Sequence, residues 1–192
     1  LLVNSLKKIG KHAFYGCEAL TSISIPNSVA EIGENAFDLS RSLQIFTIED
    51  GEGELFINNN FLNSPLDELY VGRNITYPDA NSPFSMLESL KKVTIGSQVS
   101  RLGDTQFAGC QNLKDVVSHA LNVPSTGQHV FTEAYQAEAK LHVPENAYIK
   151  YQNTYPWYLF KNFQLIDENG TETPKTIVSG DASGNGIVDA GD

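Results

Sequence analysis

Apolar residues recur along this chain with a period much longer than that of a helix or a strand. Leu20, Leu43, Leu66, Leu90 and Leu113 are spaced 23, 23, 24 and 23 apart. Three residues behind each comes a second apolar position, at Ile23, Phe46, Leu69, Val93 and Val116. A third follows at Ile25, Ile48, Val71 and Ile95. The fifth copy has Ser118 there instead, and a more distant last copy carries Leu141 and Val143 before Pro144. An L-x-x-L-x-L core repeated at such an interval is a solenoid pattern. The alternating end of each copy is a short strand that points every second side chain inward. One such turn cannot bury its own apolar face, so neighbours must stack. The pattern predicts strands near residues 22–25, 45–48, 68–71, 92–95, 115–118 and 140–143, in one parallel sheet.

The segments between the strands repeat as well. LVNSLKKIGKHAF (Leu2 to Phe14) returns 23 residues later as IPNSVAEIGENAF (Ile25 to Phe37). Phe107, Gly109 and Cys110 restate Phe14, Gly16 and Cys17. These segments are expected to form the outer wall, with Gly10 and Gly33 allowing a tight turn and the Phe side chains filling the core. The third copy, Gly51 to Pro65, loses this text and predicts a looser arc or a hairpin.

The text IGKHAFYGCEALTSISIPNSVAEIGENAF resembles the BspA-like branch of leucine-rich repeats, found in bacterial surface proteins. LHVPENAYIKYQNTYPWYLFKNFQLID is similar to a closing segment of that family, in which a strand ending in V-P precedes a Tyr- and Trp-bearing helix. The resemblance implies an α/β-type repeat solenoid: a right-handed superhelix with one parallel sheet, an irregular outer wall and a C-terminal aromatic cap. On that reading residues 1–143 are the solenoid, with about six repeats, and 144–167 are the cap. Residues 168–179 are a polar, Gly- and Pro-bearing linker.

The chain has 192 residues, of which 41% are hydrophobic, enough for a real core. Its formal charge is -10, which sets it against a phosphate backbone and excludes nucleic acid as a partner. No apolar run approaches the roughly 20 residues of a transmembrane helix. Cys17 and Cys110 hold equivalent places four repeats apart. Strands stack about 4.8 Å apart, which separates the two by roughly 19 Å, far beyond the ~7 Å a disulfide spans. Two free, buried thiols are expected. Tyr148, Tyr151, Tyr155, Trp157, Tyr158, Phe160 and Phe163 follow the last strand, as a cap or as a carbohydrate-stacking platform; the cap is favoured, because a solenoid must hide its open end.

Residues between the inward positions of each strand face outward. One row reads Ser24, Thr47, Tyr70, Thr94, Val117 and His142, and its neighbour reads Ser22, Ile45, Glu68, Lys92, Asp115 and Lys140. Aromatic residues near the centre of a patch are enriched at interfaces. Tyr70, Lys92, Thr94 and His142 are therefore the ligand-binding candidates, against the alternative of a merely solvated face.

The chain closes on GDASGNGIVDAGD, residues 180–192. Calcium loops place oxygen ligands at positions 1, 3, 5, 7, 9 and 12 with Gly at 6. Counting from Asp181, the ligands are Ser183, Asn185, Ile187 through its carbonyl, Asp189 and Asp192, with Gly186 at six. This segment resembles the first half of a type I dockerin, a module that docks on cohesin. The resemblance implies calcium as the cofactor and cohesin as a partner, although half a dockerin is expected to bind weakly.

No metal-ligand spacing joins the four histidines, and no nucleophile elbow or phosphate-cradling loop is legible. With no catalytic motif legible, the BspA-like resemblance implies a non-enzymatic adhesion protein, secreted or at the cell surface, that binds a host or bacterial surface protein or a glycan. Attachment through a dockerin–cohesin assembly is the alternative, and a glycan-active enzyme with paired carboxylates is a further one.

Overall fold

A computed structural model describes residues 2–78, 82–132, 136–167 and 170–173. Six strands fall where the apolar spacing places them: β2 (Ser22–Ile25), β4 (Ile45–Ile48), β6 (Glu68–Val71), β8 (Lys92–Ile95), β10 (Asp115–Ser118) and β12 (Lys140–Pro144). Each pairs in parallel with the next, in a register that sets equivalent repeat positions side by side, so that Leu69 lies between Phe46 and Val93. Two more strands extend this sheet. β13 (Asn162–Ile166) adds in parallel to β12, and β14 (Glu172–Thr173) closes the edge antiparallel. Among the described residues the sheet thus has eight strands, seven of them mutually parallel.

The outer wall is more regular than expected. β1 (Lys8–Ile9), β3 (Glu31–Ile32), β5 (Leu55–Ile57) and β7 (Ile75–Thr76) form a second parallel ladder. β9 (Arg101–Leu102) and β11 (Ser125–Thr126) pair separately. Between the two groups an amide side chain replaces the backbone rung: Asn74 Oδ1 accepts from the Ser100 and Arg101 N–H groups at 3.0 and 3.1 Å. The third copy makes neither a hairpin nor a loose arc at this level, because β5 pairs in parallel with both β3 and β7.

The wall glycines act differently from the expectation. Gly10 and Gly33 do not adopt the left-handed backbone. A Cβ on Gly33 would lie 2.6 Å from the Lys11 nitrogen, so Gly lets adjacent coils approach. The left-handed turns come later in each coil, at His12, Asn35, Thr105 and His129, and again at Gly16, Leu39, Asn63, Met86 and Gly109.

The core runs the length of the solenoid. Phe14, Phe37, Phe61 and Phe84 stack from coil to coil at centroid distances of 5.1, 5.8 and 5.3 Å, and Phe107 stacks on Phe131 at 5.7 Å. Phe46 meets Phe37 and Phe61 edge-on at 5.1 and 4.9 Å. Such pairs contribute about 0.5–1.5 kcal/mol each beyond the area they bury. Arg73 runs into the interior, 2% exposed, and donates to the main-chain oxygens of Pro26, Asn27 and Val29. It thereby ties the fourth coil to the second. Cys17 and Cys110 are free, as expected, but only Cys110 is buried; Cys17 is half-exposed because the first coil is covered on one side only.

The cap is itself a coil. After β12 the chain makes a 3-10 turn at Glu145–Ala147, the short helix α1 (Tyr148–Gln152) and a second 3-10 turn at Trp157–Leu159, then returns as β13. Tyr148, Tyr151, Trp157 and Phe160 are buried. Trp157 packs on Phe131 and Tyr151, and its indole N–H donates to the Pro124 carbonyl at 3.2 Å. The cap also explains Ser118, the polar residue at an inward position. Its hydroxyl lies 2.6 Å from the Tyr151 hydroxyl, which donates to the Ala120 carbonyl at 3.0 Å.

Candidate functional site: the outward face of the long sheet

Side-chain alternation on β4, β6 and β8 puts Phe46, Leu69 and Val93 inside and leaves two parallel rows outside. Across the outer row the register runs Ile45, Glu68, Lys92, Asp115, Lys140 and Asn162. Glu68, Lys92 and Lys140 are exposed and form no ion pair with one another. The row above it runs Ser24, Thr47, Tyr70, Thr94 and Val117, all half-buried.

Tyr70 and Thr94 are register partners on adjacent strands, and Lys92 is the partner of Glu68. The structure therefore gathers Tyr70, Lys92 and Thr94 into one patch on β6 and β8. His142 does not belong to its exposed part. It is 3% exposed, and its Nε2 lies 3.0 Å from Asp115 Oδ1. The sequence pattern counted β12 as the last strand, whereas β13 adds beyond it and sets Gln164 beside His142. A partner on the surface meets Asp115 and Lys140 there, not the imidazole.

Tyr70 is held rigidly. Its hydroxyl donates to the Asp50 carboxylate, 3.0 Å from each oxygen. Burial, and then the bond to Asp50, push the phenol up to about 12. The proton therefore stays on Tyr70 throughout the neutral range, and the residue offers a ring and a fixed hydroxyl rather than an acid or base. A Cβ on Gly96 would come 2.5 Å from Asp50 Oδ1 and 3.0 Å from the Tyr70 oxygen, so only glycine leaves room for the pair. On the other side stands His119, half-buried, its pKa lowered by burial and opposed by the field of Asp50. Asp50, Gly96 and His119 were not singled out in the sequence. The available signal was the recurrence of glycine just past β6 and β8, at Gly72 and Gly96.

Of the cap aromatics, only Tyr155 and Tyr158 are strongly exposed, with ring centroids 6.0 Å apart. No helix among the described residues is long and apolar enough to cross a membrane. No group of three or more His, Cys, Asp or Glu side chains among them is placed to hold a metal ion. The calcium-loop candidates Asp181, Ser183, Asn185, Ile187, Asp189 and Asp192 lie outside the described residues.

No curated protein and no solved structure matches the chain. The profile of the BspA type Leucine rich repeat region matches in six copies, over residues 2–114 and 55–177. Those two spans cover the sheet, the wall and the cap, and the chain belongs to the BspA type leucine-rich repeat family.

Proposed function

We propose that the chain is the non-enzymatic binding module of a secreted or cell-surface protein, and that it engages a host or bacterial surface protein or a glycan through the outward face of its long sheet. BspA-type repeats point to a surface protein that binds proteins. The observation that carries the assignment to this face is the patch of Tyr70, Thr94 and Lys92: a half-buried ring fixed by Asp50 beside an exposed cation without an ion-pair partner among the described residues. A fixed aromatic near the centre of a face loses little entropy on contact, which is why such residues dominate binding energy. Adhesion is the role this implies.

The test is surface plasmon resonance of the chain against immobilised extracellular-matrix proteins and a glycan array. Tyr70→Ala with Lys92→Ala is expected to weaken any bound partner by about 2–4 kcal/mol, as for a hot-spot pair. Unchanged affinity for every partner found would remove the sheet face from the account.

A second reading rests on the oxygen spacing of Asp181, Ser183, Asn185, Ile187, Asp189 and Asp192. It makes residues 180–192 the calcium-dependent start of a dockerin-like module, joined by the 168–179 linker to a solenoid of 1–143 and a cap of 144–167. Cohesin is then the partner. Isothermal titration with calcium, with and without Asp181→Ala, tests it.

A further inference from the structure

The register of the long sheet fixes the order of charge along its outer row. Ile45, Glu68, Lys92, Asp115, Lys140 and Asn162 are partners on successive strands, from β4 to β13. Read across the strands, the row is uncharged, negative, positive, negative, positive and uncharged. Its midpoint lies between β8 and β10, and every charge has the opposite charge at the same distance on the other side. Neighbours in the row are about 4.8 Å apart at the backbone, where opposite charges can pair. Glu68, Lys92 and Lys140 nevertheless make no ion pair among the described residues and are exposed. Asp115 holds the buried His142 through Oδ1, and its own side chain stays 39% exposed.

Such a row is its own complement. A twofold axis along the strands, midway between β8 and β10, brings a second copy down face to face with the order of its strands reversed. Glu68 then opposes Lys140, and Lys92 opposes Asp115, each twice by symmetry. In the row above, Thr94 opposes Val117, and Tyr70 falls over His142, which is 3% exposed. At the strand entry Lys91 faces Lys114 across the axis, but Asp67 lies 3.0 Å from Lys91 and cancels its charge. A twofold axis along the solenoid instead sets Glu68 on Glu68 and Lys92 on Lys92, which repel.

We propose that the sheet face binds the same face of a second copy of this chain, so that adhesion through it is homophilic. This rests on the reading of the sheet face as the binding surface and names its partner. The formal charge of -10 on each chain opposes approach, but salt at about 0.15 M screens it beyond about 8 Å. The row itself carries no net charge and acts at contact. Six strands of about four residues cover roughly 29 by 13 Å, or about 380 Å², half of the ~800 Å² that each side of a stable complex buries. The pair is therefore weak in solution and gains from many copies on one surface, where each further contact is intramolecular.

Sedimentation equilibrium of the full chain over about 10 μM to 1 mM, at about 0.15 M salt, spans the range of a weak pair. A monomer–dimer equilibrium is expected. Glu68→Lys sets cation against cation at both ends of the interface, and Lys140→Glu sets anion against anion; each is expected to weaken the dimer at least tenfold. Mixed one to one, the two variants regain opposite charges at both contacts and are expected to pair with each other as wild type does. Both positions are exposed, and circular dichroism melts check that each variant folds. A wild-type chain that stays monomeric over the whole range overturns the proposal. So does a dimer that neither variant weakens, or one that the mixture fails to restore. The sheet face itself is judged separately, by surface plasmon resonance with Tyr70→Ala and Lys92→Ala: a chain that binds a matrix protein or glycan there yet stays monomeric loses the homophilic partner alone.

Discussion

Replacing Arg73 with Met removes a buried cation that spans two coils. In the native fold Arg73 donates to Asn27 O at 3.0 Å, Pro26 O at 3.0 Å and Val29 O at 2.8 Å. The Pro26 oxygen also accepts from the Val29 N–H, so it keeps a partner when Arg73 is lost. Val29 O has no other partner among the described residues and lies in the interior, whereas Asn27 is exposed and water can serve its oxygen. Leaving a buried acceptor unsatisfied costs about 1–3 kcal/mol, and Val29 O is that acceptor. Relief works in the other direction, because the cation no longer has to be desolvated, and burial already lowers its pKa. Arg73→Met is therefore expected to destabilise the chain by about 1–2 kcal/mol. Arg73→Lys keeps the charge, but a compact ammonium cannot serve carbonyls in the fan of a guanidinium, and it should recover less than half. Urea denaturation followed by far-UV circular dichroism gives the midpoints. The loss should fall on the N-terminal half, since Arg73 joins residues 26–29 of the second coil to the fourth. A solenoid unfolding in segments would then show an early phase reporting those coils. An Arg73→Met midpoint equal to wild type would show that water or a shifted side chain satisfies the carbonyls, and the clamp argument would fail.

Other perturbations follow from the same geometry. Tyr151→Phe strips a partner from both the Ser118 hydroxyl and the Ala120 carbonyl and should cost about 1–3 kcal/mol by thermal melt; adding Ser118→Val should recover part of it. Stability should fall as pH rises from about 9, because Cys110 is pushed up to about 11 and Tyr70, Tyr77 and Tyr151 to about 12 in the fold. The unfolded chain then releases these protons first, and by linkage the loss grows until the folded groups ionise as well; a flat urea midpoint between pH 8 and pH 11 would contradict the buried placements. Ellman's reagent should label half-exposed Cys17 in the native chain and reach Cys110 only after denaturation. If the closing loop binds calcium, titration should give a Kd of roughly 10⁻⁴–10⁻³ M, lost on Asp181→Ala.

The long sheet was legible because each repeat carries a leucine and two inward strand positions at fixed offsets, so five spaced leucines located it. The wall ladder was not, because strands of two residues, such as Lys8–Ile9, carry no alternation to read. The rung supplied by Asn74 was hidden for a similar reason: its partners lie 26 and 27 residues away, and any asparagine satisfies local turn chemistry equally well. The outward placement of Tyr70, Lys92 and Thr94 follows from alternation alone. His142 was placed on the correct row, but its burial depends on β13, which returns through the cap and leaves no trace in the repeat. Asp50 was missed because it becomes significant only where Gly96, two coils on, makes room for it.

The central claim is that partners meet the sheet face around Tyr70. The most direct measurement is photo-crosslinking of the chain to a partner found by surface plasmon resonance, with the photo-reactive residue placed at Thr94 in one sample and at Glu34 on the exposed outer wall in another. The account predicts a covalent adduct from position 94 and none from position 34. An adduct from position 34 alone would contradict it.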